Sequence, residues 1–86
     1  MREKPAMLGA GDIMLASELK RGQRGVVRAI HMEEADRKRL SEMGISAGTS
    51  IIFRGTLLWR DPLLFETRDA MLALRRKDAR RIEVSG

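Results

Sequence analysis

Cysteine is absent from this chain, and aromatic residues are scarce, with one tryptophan, two phenylalanines and no tyrosine. Without cysteine the protein can form neither disulfides nor thiolate metal sites, so we expect it to lie in the reducing cytoplasm. No apolar run approaches the roughly 18–20 residues of a membrane-spanning helix, and the amino terminus lacks the apolar segment of a signal peptide. The scarcity of aromatic side chains also argues against a nucleic-acid interface, because such surfaces commonly stack bases on aromatic rings.

The length and the charge narrow the functions further. A chain of 86 residues forms one domain and buries only about 60–65% of its unfolded surface, so a deep catalytic cleft is not expected. Hydrophobic residues make up 43% of the sequence, which is enough for a folded core. The net charge of +5 favours acidic partners, such as nucleic acid, anionic lipid or an acidic protein face. The basic residues nevertheless lie in short clusters beside acidic residues, as on an ordinary solvated surface: Arg37–Arg39, Arg75–Lys77 and Arg80–Arg81.

The segment from residue 35 to residue 48 is the most informative part of the sequence. After a polar start, it has two apolar residues three positions apart, which is the spacing of residues on one helical face. Gly44 suits a left-handed residue after the helix, and Ile45 can fold back as the hydrophobic contact beyond it. Gly48 suits a tight turn into the next strand. We therefore predict a short helix near residues 35–43 that ends at Gly44 and plugs a small barrel.

Short runs of β-branched or alternating apolar residues, separated by turn residues, predict five strands, near residues 26–30, 49–54, 63–68, 71–74 and 82–84. Asp61-Pro62 and Asp69-Ala70 mark turns between the middle strands. Residues 1–13 carry proline and glycine with little periodicity, which predicts a flexible N-terminal arm before a domain over residues 14–86. The expected fold is mainly β, a small SH3-like barrel of about five strands with one short α-helix between early strands. Strand parity and the helix predict this core: Val27, Ile30, Leu40, Met43, Ile51, Phe53, Leu63, Phe65, Leu72, Leu74, Ile82 and Val84.

One ordered set of residues runs through nearly the whole chain outside the arm: Leu19, Gly22, Gly25, Val27, then Arg39-Leu40, Met43-Gly44-Ile45, Gly48-Thr49, then Asp61-Pro62, then Leu72-Ala73-Leu74-Arg75, Ala79 and Ile82-Glu83-Val84. In this order the residues resemble the ferrous iron transport protein A (FeoA) family. The resemblance implies a small cytosolic SH3-like barrel with an accessory role in bacterial ferrous iron uptake. It also implies a place beside a large membrane transporter that has a cytosolic GTPase domain. The family has no established catalytic residues to carry over.

Two residues depart from the family's pattern. Asp69 stands where the family commonly has glycine before the last hairpin strand. Because aspartate accepts a positive φ better than most residues, the turn should survive there with modest strain. Leu64 stands where polar residues are usual on the outer face. The departures therefore concern the outer surface and one turn, and not the fold.

The sequence offers little support for catalysis or for a metal site. The only histidine is His31, no serine shares a triad signature with it, and residues 22–25 are too short for a phosphate-binding loop. We therefore predict no enzyme activity and no cofactor. Glu33, Glu34 and Asp36 offer oxygen ligands beside His31, but an acidic helix start complements the helix dipole without a metal. Weak metal binding by these four residues stays open.

An apolar patch is the strongest candidate for a functional site. Leu57, Leu58 and Trp59 crowd the connection between two strands, where turn residues are usually polar. Leu64 and Met71 have the outward parity of neighbouring strands. Because exposed apolar clusters with a tryptophan mark binding sites, we predict partner binding through these five residues. The alternatives are a hairpin that folds back and buries them, and self-association through the same patch.

We therefore expect an accessory or regulatory protein of bacterial ferrous iron uptake that docks on the cytosolic part of the membrane ferrous iron transporter. A second copy of the chain is an alternative partner, and the membrane surface would contribute only indirectly, by attracting the basic side chains. The alternative function is a small-barrel nucleic-acid-binding or metalloregulator-type module, although the chain carries no helix-turn-helix. Salt dependence separates the two classes, because binding through phosphates weakens steeply with salt.

Overall fold

Antiparallel strands form one sheet in the computed structural model of this chain, which describes residues 12–86. The strands are β1 (Ile13–Leu15), β2 (Arg24–Ile30), β3 (Ser50–Thr56), β4 (Leu63–Glu66), β5 (Met71–Leu74) and β6 (Ile82–Ser85). The helices are α1 (Glu34–Glu42) and α2 (Arg76–Ala79), and a 3₁₀ turn spans Ala16–Glu18. Neighbouring strands lie in the order β1-β6-β2-β3-β4-β5. The mainly β expectation is confirmed, with six strands in the described residues instead of about five.

Strand β1 is the element that the sequence pattern misses. Its residues Ile13 and Leu15 pair with Ser85 and Glu83 of β6. Three residues followed directly by a 3₁₀ turn are too few to show the alternation that predicts a strand. Ile13 therefore belongs to the sheet, and apart from it and Asp12 the predicted N-terminal arm lies outside the described residues.

Two β-bulges bend the sheet. The pairing of β2 with β6 shifts between Val27 and Ala29, and the pairing of β3 with β4 shifts between Phe53 and Gly55. An extra residue on one strand bends that strand and increases its twist. Gly55 has a φ of 120°, and the guanidinium of Arg21 lies 2.9 Å from the position that a Cβ would take there. The backbone conformation favours glycine at the bulge of β3, whereas the Arg21 guanidinium is the end of a flexible side chain and can move aside.

The loop of the β4–β5 hairpin lies one residue earlier than the sequence predicts. The backbone N–H of Thr67 donates to the carbonyl of Ala70 at 2.8 Å, so the two-residue loop is Arg68-Asp69 and not Asp69-Ala70. The hydroxyl oxygen of Thr67 also accepts from the N–H groups of Asp69 and Ala70. Asp69 does not adopt a positive φ. The modest strain expected at Asp69 is therefore absent, because side-chain hydrogen bonds close this turn without a left-handed residue.

Helix α1 ends as the sequence predicts. Gly44 has a φ of 103°, and its N–H donates to the carbonyl of Ser41 at 3.0 Å. The N–H of Ile45 donates to the carbonyl of Leu40 at 2.9 Å. These two bonds form a Schellman motif, which satisfies the last carbonyls of the helix. The side chain of Ile45 is fully buried, so the cap places it in the core beside Leu40.

A turn after the cap attaches the helix to the sheet. The N–H of Thr49 donates to the carbonyl of Ser46 at 3.0 Å, and Gly48 has a φ of 95°. The N–H of Gly48 donates to the carbonyl of Val27, and the N–H of Val27 donates to the carbonyl of Thr49. The predicted tight turn at Gly48 is therefore confirmed, and it ties the end of α1 directly to β2.

The core lies on the inner face of the curved sheet and under α1. Most of the predicted core residues are buried there or pack against the buried cluster, and the fully buried large side chains include Phe65, Ile45, Ile51, Leu63, Ile82, Val27 and Val84. Met43 is a wrong prediction, because it is 38% exposed. It occupies the last position before the left-handed turn, so its side chain remains outside and Ile45 enters the core instead. The sequence-based list also omits Ala16, Leu19 and Ala79, which are buried.

Truncation of Phe65 should remove a large part of the stability of the domain. Its side chain is fully buried, and its ring centroid lies 5.6 Å from that of Phe53. A Phe65→Ala change leaves a cavity and should cost about 3–5 kcal/mol of unfolding free energy. Urea unfolding measures this loss, with Met71→Ala as the exposed control. An unchanged midpoint for Phe65→Ala would contradict the assigned face of β4.

Substitutions at Gly44 should depend on how well the new residue tolerates a positive φ. No atom lies within 4 Å of the position that a Cβ would take, so the cost is conformational and not steric. Gly44→Val should destabilise the protein by about 1–2 kcal/mol or more, and Gly44→Asn by less, because asparagine visits the left-handed region. Thermal unfolding of both variants measures the difference. Equal losses for asparagine and valine would contradict the cap.

Candidate interaction surface

The connection between β3 and β4 carries the two most exposed large apolar side chains of the described residues. The N–H of Leu57 donates to the carbonyl of Pro62 at 3.1 Å, which extends the strand ladder by one step. Leu57 is 53% exposed, Leu58 is 76% exposed and Trp59 is 87% exposed. We call these three residues the apolar tip. The alternative in which the hairpin folds back and buries them does not occur in this structure.

Two hydrogen bonds from the start of α2 fix the base of the loop. The backbone N–H of Arg76 donates to Oδ1 of Asp61 at 2.8 Å. The guanidinium of Arg76 donates through Nη2 to the carbonyl of Arg60, also at 2.8 Å. The first N–H groups of a helix have no partner within the helix, so the Asp61 carboxylate takes the role of a capping group. The apolar tip is thus presented by an anchored loop.

Leu64 and Met71 lie together on the outer face of the sheet. Leu64 is opposite Ala73 in the β4–β5 pair, and Met71 is opposite Glu66. Because cross-strand partners point to the same face, Leu64 and Met71 are diagonal neighbours at about 7–8 Å. Met71 is 52% exposed, whereas Leu64 is half-buried. The predicted outward parity of both residues is therefore observed, with Leu64 less accessible than Met71.

The apolar tip continues this outer face at one end of the sheet. Gly55 is opposite Leu64 in the β3–β4 pair, and Leu57 lies two residues after Gly55, so it has the same parity. The outer face therefore runs from Leu57 through Leu64 toward the β4–β5 hairpin. Leu58 and Trp59 lie beyond the end of the strands, in the loop itself. The five predicted residues thus form two parts, a sheet-face part and a tip, with Leu57 at the junction.

Basic side chains gather around the apolar tip. Strand β5 ends at Leu74, which is opposite Leu63, so the residues after β5 begin at the same end of the sheet as the tip. Of the nearby acidic groups, the Asp61 carboxylate accepts the backbone N–H of Arg76. The basic side chains that flank the tip by sequence, strand register or hydrogen bonding are Arg21, Arg60, Arg75 and Arg76. We call these four residues the basic rim.

The candidate metal ligands do not converge. Nε2 of His31 lies 2.8 Å from Oε1 of Glu83, and Oδ1 of Asp36 lies 3.2 Å from the guanidinium of Arg39. Within residues 12–86, no three histidine, cysteine, aspartate or glutamate side chains are close enough to hold a metal ion. His31 and Asp36 therefore have partners, Glu83 and Arg39 respectively, outside the set of four that the sequence offers as ligands.

A cleft beside the start of α1 has compensating charges. It has a volume of about 540 Å³ and lies between α1 and α2. Three acidic side chains line it, Glu33, Asp36 and Asp78, and three basic side chains, Lys77, Arg80 and Arg81. Such a mixture of charges does not favour a ligand of either sign.

No helix of the described residues is long and apolar enough to cross a membrane.

Sequence reasoning finds the apolar tip but misses its anchor. The signal for the tip is apolar residues at turn positions. The anchor joins Asp61 to Arg76, which are 15 positions apart, and it uses a backbone N–H that carries no side-chain signature. One clue was available, because an aspartate before a proline commonly accepts hydrogen bonds in turns. The Asp61–Pro62 turn is observed, and its peptide bond is cis.

A family model described as the FeoA domain matches residues 14–86. Over 71 residues the chain is 37% identical to the Fe(2+) transport protein A/Fe(2+) transporter FeoB fusion protein of Porphyromonas gingivalis. That match covers 83% of this chain and 8% of the relative, so the chain spans a small part of the relative's length. The family resemblance predicted from the sequence is confirmed.

Solved structures show the same fold. The solution structure of the FeoA protein from Chlorobium tepidum has a TM-score of 0.78 and 32% identity, and the match covers 84% of this chain and 69% of that chain. The zinc complex of FeoA from Stenotrophomonas maltophilia has a TM-score of 0.69 and 28% identity, with 84% and 89% covered. That protein is described as a prokaryotic SH3 domain protein and is suggested to be a ferrous iron transport activating factor. The expected SH3-like fold is therefore confirmed.

Removal of the anchor should destabilise the loop and the start of α2. Asp61→Ala leaves the Arg76 N–H without its carboxylate acceptor and should cost about 1–2 kcal/mol, as loss of a helix cap does. Asp61→Asn keeps an oxygen acceptor and should cost less. Urea unfolding of both variants measures the two losses. A fully stable Asp61→Ala protein would show that the loop does not depend on this bond.

Proposed function

We propose, because this chain belongs to the FeoA domain family, that it is an accessory protein of bacterial ferrous iron uptake that docks on the cytosolic part of the membrane ferrous iron transporter. Docking supports or regulates uptake, and iron is the cargo of the transporter. The chain acts in the cytoplasm as a binding module and performs no chemical step. The docking surface consists of Leu57, Leu58, Trp59, Leu64 and Met71.

The fusion relative supports a shared task. In the Porphyromonas gingivalis protein, a segment similar to this chain belongs to one polypeptide with a ferrous iron transporter. Two domains of one polypeptide remain at a high effective concentration. At such a concentration a modest interface is enough to hold the two domains together. We assign that interface to the apolar patch of this chain.

The exposure of Trp59 is the observation that carries the proposal. Its side chain is 87% exposed, although burial of a large apolar side chain is worth about 1.5–3 kcal/mol. The anchored loop supports a role for this exposure, because Asp61 and Arg76 hold the tip away from the core at a defined place. Tryptophan is also the residue most enriched at binding hot spots. Because the folded domain does not bury Trp59 and Leu58, a partner that covers them gains binding free energy from their burial.

The two parts of the surface contribute differently. The tip provides protruding anchors, whereas Leu64 and Met71 provide a flatter apolar area beside them. The ion pair between Arg54 and Glu66, with Nε and Oε1 at 2.7 Å, borders the flat part. The basic rim adds attraction to an acidic partner, which raises the association rate more than the affinity.

The observed aromatic side chains do not favour the nucleic-acid alternative. Phe65 is fully buried and Phe53 packs against the core, so Trp59 is the only one of the three aromatic residues that is exposed. A base-stacking surface generally offers several rings in succession. Self-association through the same patch is the other alternative, and the oligomeric state in solution tests it.

Loss of the two outermost side chains should abolish capture of the transporter. The double change Trp59→Ala with Leu58→Ser removes hot-spot contacts worth about 2–4 kcal/mol, so the affinity should fall roughly 30-fold or more. Tagged protein and membranes that contain the transporter provide the assay. The matched control is Ile13→Ser, because Ile13 is 60% exposed in β1. Circular dichroism should show that both variants keep the fold.

The opposite pattern would contradict the docking surface. Charge reversals in Arg37–Arg39 of α1 should weaken capture only modestly and in a salt-dependent manner. Capture that is lost on this basic face, but is unaffected by the double change at the tip, would indicate a polyanion partner.

A further inference from the structure

We infer that the apolar tip and the basic rim together bind the surface of an anionic lipid bilayer, with Leu58 and Trp59 inserted among the lipid headgroups. This inference rests on the proposed function, because a domain docked on a membrane transporter works beside the cytoplasmic leaflet. It assigns the membrane a direct contact, whereas the sequence predicts only an indirect one. The tip then lies where the transporter meets the leaflet, so Leu58 and Trp59 add a lipid contact to the docking surface that they form with Leu57, Leu64 and Met71.

The shape of the tip supports a lipid surface as the occupant. Leu58 and Trp59 project from the end of a loop, beyond the strands, and are 76% and 87% exposed. A protruding pair of apolar side chains inserts into a bilayer surface without a preformed cavity in the partner. Tryptophan is enriched at membrane–water interfaces, because its ring is apolar and its N–H can donate a hydrogen bond. Leucine beside it adds the buried apolar area that shallow insertion requires.

The charge around the tip supports an anionic surface. Arg60 follows the tip directly in the sequence, and Arg76 donates to the carbonyl of Arg60. Arg75 is exposed and directly follows the end of β5, at the same end of the sheet. Each basic side chain close to an anionic leaflet strengthens binding by about fivefold. The arrangement of an apolar tip inside a basic rim therefore matches a surface with negative headgroups above an apolar interior.

The loop backbone limits the depth of insertion. The loop contains peptide groups in irregular conformation, and such groups are costly to place in the hydrocarbon interior without hydrogen-bond partners. At headgroup level these groups remain in contact with water. The side chains of Leu58 and Trp59 therefore reach the boundary of the acyl chains, while Asp61 and Arg76 stay outside the bilayer as the base of the loop.

Trp59 provides the readout of this inference, since it is the only tryptophan in the chain. The full chain is mixed with vesicles of equal parts phosphatidylglycerol and phosphatidylcholine, without any transporter. Trp59 emission should move to shorter wavelength, and acrylamide quenching should decrease. Pure phosphatidylcholine vesicles should give a much smaller change, and high salt should reverse the change seen with the anionic vesicles.

Matched variants separate the tip from general surface chemistry. Leu58→Ser should weaken vesicle binding in a flotation assay, whereas Ile13→Ser in β1 should not. Arg60→Gln should weaken binding by about fivefold, whereas Lys38→Gln on α1 should change it little. All four positions are exposed, so each variant should keep the fold.

Three results would overturn the inference. The first is unchanged Trp59 emission with anionic vesicles, and the second is salt-dependent flotation that is the same for Leu58→Ser as for the unsubstituted chain. The third is an emission shift with the isolated cytosolic domain of the transporter but none with vesicles, which would indicate a protein pocket for the tip. The proposed function is judged separately, because capture of the transporter can succeed when vesicle binding fails.

Discussion

The left-handed turn at Gly44 is the constraint on which the rest of the structure depends. It ends α1 after Glu42 and turns the chain back, so that Ile45 enters the core next to Leu40. The following turn then bonds directly to Val27 of β2. Without this reversal the helix would leave the sheet, and one side of a small core would be open to water. A positive φ without strain is available essentially only to glycine, and to asparagine at modest cost.

A core completed in this way leaves the apolar tip with no place inside the domain. The bulged sheet is filled by side chains from its own strands and from α1, and the loop after β3 is anchored by Asp61 and Arg76. Trp59 is therefore exposed because the fold is complete without it. Apolar exposure at an anchored position is the property expected of a binding surface. The same anchor places the Arg76 guanidinium beside Arg60, so a positive charge lies next to the apolar tip at one end of the sheet.

Sequence reasoning predicts the features that depend on local chemistry. The cap at Gly44 and the parity of Leu63 and Phe65 follow from residue type and spacing, and both are observed. The failures arise where the outcome depends on distant partners. Met43 has the right helical spacing for the core, but the turn that follows it delivers Ile45 instead. Strand β1 is too short to show alternation and exists because β6 pairs with it. The anchor of the candidate site joins a loop carboxylate to a backbone N–H, which no residue pattern records.

The central claim is that the chain docks through the apolar patch. Hydrogen–deuterium exchange of the chain, alone and with the transporter in lipid nanodiscs, tests this claim most directly. Empty nanodiscs supply the reference that separates protein contact from lipid contact. The account predicts slower exchange with the transporter at residues 57–61 and along the outer edge of β5, with α1 unchanged. Slower exchange along α1, together with unchanged exchange at residues 57–61 and in β5, would contradict it.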